Sequence, residues 1–488
     1  MMTQQELEKY LWGAATALRG TIDAGDYKQY IFPLMFFKRI SDVYDEEFEN
    51  ALAENDGDIE CAAFAENHNF LIPEGAHWND VRETTTNIGM ALQNAMREIE
   101  KANPDTLDGI FGDASWTNKE RLSDAMLTDL IEHYSQHKLN LKNVPDDKLG
   151  NAYEYLIKEF ADDSGHTAAE FYTNRTVVKL MTMIMDPQPG ESVYDPTCGS
   201  GGLLLNCALH LKDEGKEYRT LKLYGQEINL LTSAIARMNM FMHGIEEFDI
   251  VRGNTLSHPG LLENDELKKF NVILANPPYS IKSWDRKSFE SDPFGRNLWG
   301  TPPQGCADYA FQQHIQKSLD LDNGRSISLW PHGILFRDAE TAMRTKMIER
   351  DQVECVIGLG PNLFYNSPME ACLLITKTNK EESKKGKVLI INAVKEVRQD
   401  KNIGYLDQIH IDKIFETYSN FKSVENFSVL VNTQDVLDKN GNMAINRYIR
   451  PDALSNNAEI DFATVYQGWQ QSSDDLKKSM ENLFEELV

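Results

Sequence analysis

The sequence predicts an α/β protein: a doubly wound, mostly parallel sheet, with a helical domain before it and a helical tail after it. Three observations carry this expectation. Up to about residue 165, apolar residues recur at helical spacing and strand-like alternation is scarce. From about residue 190, short β-rich runs alternate with helical patterns, as in parallel strands joined by crossover helices. Residues 472–488 place one apolar stripe behind capping residues. The expected organisation is a helical domain over 1–165, a sheet domain over 166–430 and a tail over 431–488.

In the first domain, Leu7, Leu11, Ala14, Ala15 and Leu18 share one helical face. Residues 31–44 form a second apolar stretch, with Pro33 near its start, where a first helical turn tolerates it. Residues 122–131 and 149–160 continue the pattern. In the second domain the expected strands are 192–194, 221–225, 272–275, 326–329, 353–357, 371–376 and 388–391. Several are continuous apolar runs, as in strands covered on both faces. Helical patterns at 203–211, 230–243, 309–319 and 339–350 fall between them. Residues 378–387 are polar and charged, and read as a surface turn between two late strands. In the tail, Leu476, Met480, Leu483, Phe484 and Leu487 make the stripe, which suits packing on its own domain or docking to a partner.

A length of 488 residues fits two or three domains. With 41% hydrophobic and 26% charged residues, the composition is that of a soluble globular protein. No apolar run approaches the ~20 residues of a membrane span, and the first residues lack the pattern of a signal peptide. The six cysteines include no Cys-x-x-Cys pair, so neither a disulfide framework nor a zinc site is expected, and a reducing cytoplasm fits best. The net charge is −27, distributed as −18 over residues 1–165, −3 over 166–451 and −6 over 452–488. Nucleic-acid affinity rests on Lys and Arg neutralising phosphates. If DNA is the substrate, another chain must supply most of the phosphate binding. The acidity also serves solubility without any partner.

Residues 193–203 read as a strand, a glycine-rich turn and a helix start, with Asp195 at the strand end and Gly199, Ser200, Gly201 and Gly202 in the turn. Glycines let the backbone turn tightly and approach a ligand, and the free N–H groups of a helix start suit a carboxylate or phosphate. Glu227 ends the next expected strand, where a carboxylate can accept from both ribose hydroxyls. Nicotinamide cofactors and S-adenosylmethionine both use this geometry. The spacing Asp-x-x-x-Gly-x-Gly-Gly, rather than Gly-x-Gly-x-x-Gly, favours S-adenosylmethionine. Asp195 would then stand near the methionine amino group.

Asn276-Pro277-Pro278-Tyr279 follows the strand 272–275 directly, where loops of a doubly wound sheet line the ligand crevice. An amine conjugated to an aromatic ring is a poor nucleophile because its lone pair is delocalised. Two acceptors on its N–H bonds, the Asn276 side-chain oxygen and the Pro277 carbonyl, can draw the nitrogen towards tetrahedral geometry. The prolines stiffen the loop, and Tyr279 offers a face on which an extruded base can stack.

These motifs together resemble the methylation (M) subunits of type I restriction-modification enzymes, gamma-class adenine-N6 DNA methyltransferases. The resemblance covers most of the chain. It includes Glu170-Phe171-Tyr172-Thr173-Asn174-Arg175 before the glycine turn, Gly253-Asn254-Thr255-Leu256, residues 330–337 and 361–365, and residues 444–449. It departs at Asn174, where Pro is usual, and after Phe336, where a Gly pair is common. The resemblance implies a Rossmann-like S-adenosylmethionine-dependent methyltransferase domain. It implies that Glu170 to Arg175 and Ser200 to Gly202 hold the methionine moiety and that Glu227 holds the ribose. Asn254 would lie near the cofactor's adenine, and Asn276 to Tyr279 would hold the target adenine. The implied partners are a specificity (S) subunit that reads the DNA, a second M subunit, a restriction (R) subunit and double-stranded DNA. Lys282, Arg286, Lys287 and Arg296, with Trp284 and Trp299, follow the loop. They suit phosphate contacts and base stacking, and equally an ordinary surface loop. The alternatives are a protein-glutamine N5 methyltransferase, a non-catalytic scaffold subunit and, more distantly, a nicotinamide oxidoreductase.

Overall fold

The computed structural model describes residues 2–480, apart from 19–20, 164–172, 364–368, 401–402, 450–465, 468, 475 and 479. The first part is helical: α1 (Gln4–Leu18), α2 (Lys28–Glu54), α3 (Ile88–Ala102), α4 (Asp124–Ser135) and α5 (Asp146–Asp163). The face of α1 read from the sequence is the buried one, with Leu7, Leu11, Ala14, Ala15 and Leu18 all inside. α2 starts ahead of its apolar run, so Pro33 stands in the second turn rather than the first, and its missing N–H removes one helical bond. α2 runs through the middle of this domain and buries every residue from Tyr30 to Val43. Its charges are therefore paired: Arg39 donates to the Leu139 and Val144 carbonyls and to Asp146 at 2.7 Å, which anchors the start of α5.

The second part is built on a nine-stranded sheet. Its strands are β1 (Ser192–Asp195), β2 (Lys222–Glu227), β3 (Phe248–Arg252), β4 (Val272–Ala275), β5 (Arg325–Pro331), β6 (Val353–Leu359), β7 (Ala371–Lys377), β8 (Lys387–Ala393) and β9 (Ser428–Asn432). Their spatial order is β9-β8-β6-β7-β5-β4-β1-β2-β3. The five strands from β3 to β5 pair in parallel. β7 runs antiparallel between β5 and β6, and β9 is antiparallel on the edge. Seven of these strands correspond to runs expected from the sequence. The two others, β3 and β9, are edge strands: half exposed, they have no continuous apolar run to reveal them. The polar segment 378–387 is the expected surface turn between two late strands, β7 and β8, which are not neighbours because β6 lies between them. There Lys380 donates to Asp351 and to the Lys387 carbonyl.

Helices α6 (Arg175–Met185), α7 (Gly202–Asp213), α8 (Leu230–Met242), α9 (Asp308–Ser318) and α10 (Thr341–Glu349) cover the sheet. Alternation along β4 shows the two covered faces: Val272 and Leu274 join one core, Ile273 and Ala275 another. α8 is shared between the two parts of the chain. Its Ala234, Ile235, Met238 and Met242 pack into the helical domain, while Ala236 and Met240 pack under the sheet. In the tail, Leu476 and Met480 are helical and exposed; Leu483, Phe484 and Leu487 lie outside the described residues. Among the described residues no helix is long and apolar enough to cross a membrane.

Close packing in the helical domain provides a test. A β-carbon on Gly89 would stand 2.0 Å from the Trp116 carbonyl oxygen, a backbone atom that cannot rotate away. Gly89→Ala therefore forces α3 off its seat, at a cost of about 1–3 kcal/mol. Scanning calorimetry should show a lowered thermal midpoint; a wild-type midpoint would show that this contact is not a packing constraint.

Candidate active site

The ends of three adjacent parallel strands define the site. β1 lies between β2 and β4, so all three present their carboxyl ends on one rim. Asp195 ends β1, Glu227 ends β2, and Asn276 directly follows β4. A cavity of about 460 Å³ opens there, lined by Glu227, Asn254 and the whole Asn276–Tyr279 loop. Gln226, Phe311 and Met369 also line it.

The glycine turn is shaped by two left-handed positions, Gly199 at φ 53° and Gly201 at φ 79°. A β-carbon on Gly201 would also come 2.8 Å from the Met240 side chain. The Gly199 N–H donates to Glu227 Oε2 at 3.1 Å, and the Asn229 N–H donates to Oε1 at 2.9 Å, which fixes the carboxylate. Asp195 is buried, accepts from the Thr197 N–H at 3.0 Å and forms no ion pair among the described residues. Burial, with Glu227 nearby, pushes its carboxyl up to about 8. The Asn254 side-chain oxygen accepts from the N–H groups of Leu256 and Ser257 and closes that loop. Thr255 Oγ1 ties the loop to the Pro196 carbonyl at 2.5 Å.

In the Asn276 loop, the Asn276 amide nitrogen donates to Thr173 Oγ1 at 3.0 Å. Its oxygen accepts from the Tyr279 hydroxyl. Burial pushes that hydroxyl well above its ordinary value, so it remains a donor. The Tyr279 ring stands 6.3 Å from Trp330, tilted by 59°.

The segment before the glycine turn divides its roles. Thr173 reaches the Asn276 amide. Asn174 is buried and caps α6, its oxygen accepting from the Thr176 N–H at 3.0 Å and its nitrogen donating to the Gly404 carbonyl at 2.8 Å. Arg175 pairs with Glu154 at 2.5 Å and lies against Gly202, where a β-carbon would come 1.8 Å from Nη1. Glu170, Phe171 and Tyr172 lie outside the described residues.

Sequence reasoning missed Glu154 and Asn239. The Asn239 amide nitrogen donates to Glu154 Oε1 at 2.8 Å and to the Ser200 carbonyl at 3.0 Å, joining α5 to the glycine turn. Asn239 was visible only as a polar residue inside the apolar run 234–242. The basic cluster after the loop is corrected. Arg296 is buried; it pairs with Asp292 at 2.5 Å and donates to the Thr255 and Leu256 carbonyls, so it braces the Asn254 loop and is not open to phosphate. Trp299 is buried as well. Arg286 pairs with Glu290, while Lys282 and Lys287 remain exposed.

Comparison with known proteins finds relatives over most of the chain. Residues 144–457 match the N-6 DNA methylase family, and residues 7–134 match the HsdM N-terminal domain. The chain is 26% identical to the type I restriction enzyme MjaVII methylase subunit of Methanocaldococcus jannaschii, over all of this chain and 84% of that protein. It is 28% identical to the MpnII methylase subunit of Mycoplasma pneumoniae, over 93% and 91%. The crystal structure of a type I restriction-modification methyltransferase subunit from Streptococcus thermophilus superposes with a TM-score of 0.79 at 29% identity, covering 92% of this chain and all of that one. A putative class I S-adenosylmethionine-dependent methyltransferase from Listeria monocytogenes shares the fold, with a TM-score of 0.51 at 13% identity, over 86% and 98%. The chain belongs to the N-6 DNA methylase family, as a methylase subunit of the type I restriction-modification kind, built on an S-adenosylmethionine-dependent methyltransferase fold.

Proposed function

We propose that the cavity at the carboxyl ends of β1, β2 and β4 holds S-adenosylmethionine and a flipped adenine side by side. The donor set fits the cofactor. A buried carboxylate with no ion pair, Asp195, suits a cationic ammonium, and Glu227 stands where a ribose would present its hydroxyls. No side chain caps the start of α7, so its N–H groups would suit a carboxylate. When bound, S-adenosylmethionine supplies an electrophilic sulfonium methyl group.

The observation that carries the reading is the orientation of Asn276. Thr173 holds its nitrogen and leaves its oxygen, which accepts from the Tyr279 hydroxyl, as the acceptor on a loop that lines the cavity together with Glu227 and Asn254. There the oxygen accepts one N–H of the adenine amine and the Pro277 carbonyl accepts the other. The lone pair would thereby be withdrawn from the ring; the cofactor would supply the methyl group, its sulfur keeping the electron pair of the broken S–C bond as a neutral thioether, and the methylated amine would lose one proton to solvent. The Tyr279 hydroxyl holds that same oxygen in the free protein and must release it when the amine arrives. The freed ring then stacks on the base. Glu154 and Asn239 keep the Ser200 turn in place from the helical domain.

In this reading the chain works with a specificity subunit that reads the DNA, a second copy of itself and a restriction subunit. The net charge of −27 supports it, because phosphate binding is then delegated. The exposed Leu476 and Met480 of the tail suit docking to such a partner.

The test uses the chain assembled with its specificity subunit and labelled S-adenosylmethionine. Label should enter N6-methyladenine in duplex DNA and should not enter a glutamine peptide; the reverse result would assign the protein-glutamine alternative. Asn276→Ala should bind cofactor within about threefold of wild type and transfer methyl at least ~100-fold more slowly. An unchanged transfer rate would remove Asn276 from the chemistry.

Asp195 adds a pH dependence. Its carboxyl is raised to about 8 in the free protein, so below that pH it must lose a proton to face the ammonium group. Cofactor affinity should therefore rise with pH up to about 8 and flatten above, with protons released on binding. Calorimetry in buffers of different ionisation enthalpy measures that release. Asp195→Asn should abolish it, and a release that persists in the variant would place the titrating group elsewhere.

A further inference from the structure

Four polar side chains beside the Asn276 loop have no part in the reading above. Cys306, Asp308 and Glu340 are all buried, and their ligand atoms lie within 4.8 Å of one another. The spacing is that of a metal site, but a cation from the chain already occupies it. Arg337 Nε donates to Glu340 Oε2 at 2.9 Å, Nη1 to Cys306 Sγ at 3.0 Å, and Nη2 to Asp308 Oδ2. A guanidinium offers its donors in a fixed planar fork, so three partners around it determine where each carboxylate points.

Asp308 connects this cluster to the loop. It is the first residue of α9 and is wholly buried. Its second oxygen, Oδ1, accepts from the Ser280 N–H at 2.7 Å. Ser280 directly follows Tyr279, and its φ of 52° lies in the left-handed region, where a residue with a β-carbon is strained and glycine is the usual occupant. The backbone thus leaves Tyr279 through a conformation that serine does not favour, and a charge-assisted hydrogen bond donated by its N–H to a buried carboxylate holds it there.

We propose that Asp308, backed by Arg337, is a positioning residue for methyl transfer: it holds the Tyr279–Ser280 turn in the left-handed form that aims the Tyr279 ring at the target base. The proposal rests on the methyl-transfer reading of the cavity. Asp308 acts through the backbone and does not touch the reacting atoms. Its two oxygens serve two donors at once, one on Ser280 and one on Arg337. An asparagine has a single acceptor oxygen and must abandon one of them. The proposed cofactor groups Asp195 and Glu227 end β1 and β2, Asn254 follows β3, and none of them depends on this turn.

The experiment compares wild type, Asp308→Asn and Asp308→Asn combined with Ser280→Gly, each in the full chain assembled with its specificity subunit. Asp308→Asn should bind S-adenosylmethionine within about threefold of wild type. It should transfer methyl roughly 10–100-fold more slowly in a single turnover, the scale of effect that misplacement by an ångström produces. Adding Ser280→Gly should bring the rate back to roughly half of wild type, because glycine adopts the left-handed turn without strain. A purely structural role for Asp308 would not respond to that second change. A wild-type rate in Asp308→Asn overturns the proposal, and so does a lost rate that Ser280→Gly leaves unrestored. Should Asp308→Asn fail to fold, Arg337→Lys keeps the charge and loses the fork; it should slow transfer with cofactor affinity intact, and a wild-type rate there overturns the proposal as well. A wild-type assembly that methylates no DNA overturns the underlying reading of the cavity instead, so the two failures are distinguishable.

Discussion

The central strand β1 is paired in parallel on both of its edges, and the placement of every proposed functional group depends on that pairing. Parallel neighbours end at the same rim, so Asp195, Glu227 and the Asn276 loop converge although long stretches of chain separate them. An antiparallel neighbour would carry its following loop to the opposite rim. The antiparallel strands of this sheet stand away from that centre, beyond β5, where they extend the sheet without moving the site.

The helical domain takes part in the site as well as adjoining it. α8 belongs to both cores, so one helix carries apolar packing for both parts of the chain. Across the same junction, Glu154 receives Arg175 on one oxygen and Asn239 on the other, and Asn239 holds the Ser200 carbonyl. A partly buried carboxylate in that position depends on both partners, since removing either leaves a polar group less well compensated. The glycine turn therefore has its conformation set in part by a residue of the preceding domain.

Buried acids occur in two different electrostatic situations around the cavity. Asp195 has no ion pair among the described residues, and burial keeps it poised to ionise against an arriving cation. Asp308 and Glu340 instead share one partner within the chain, Arg337. The first arrangement suits a group whose partner comes and goes, and the second suits a group whose task is to stay still. Arg296 belongs with the second: it spends its charge on Asp292 and on two carbonyls of the Asn254 loop.

The α/β class, seven of the nine strands, the glycine turn and the Asn-Pro-Pro loop were legible in the sequence, because each is written in residues a few positions apart. A glycine turn, an Asn-Pro-Pro loop and an apolar run obey local backbone and burial rules wherever they occur. The edge strands β3 and β9, the direction of β7 and the crossing of 378–387 over β6 were not legible, since they depend on which strand lies alongside. The same holds for side-chain partners. Thr173 on Asn276, Glu154 on Arg175, Asp308 on Ser280 and the burial of Arg296 join residues brought together by packing. The sequence by itself determined which chemical groups were present and on what kind of local turn. Only the tertiary structure decided what holds them still, because the partner of a buried charge is chosen by the whole fold and not by its neighbours along the chain.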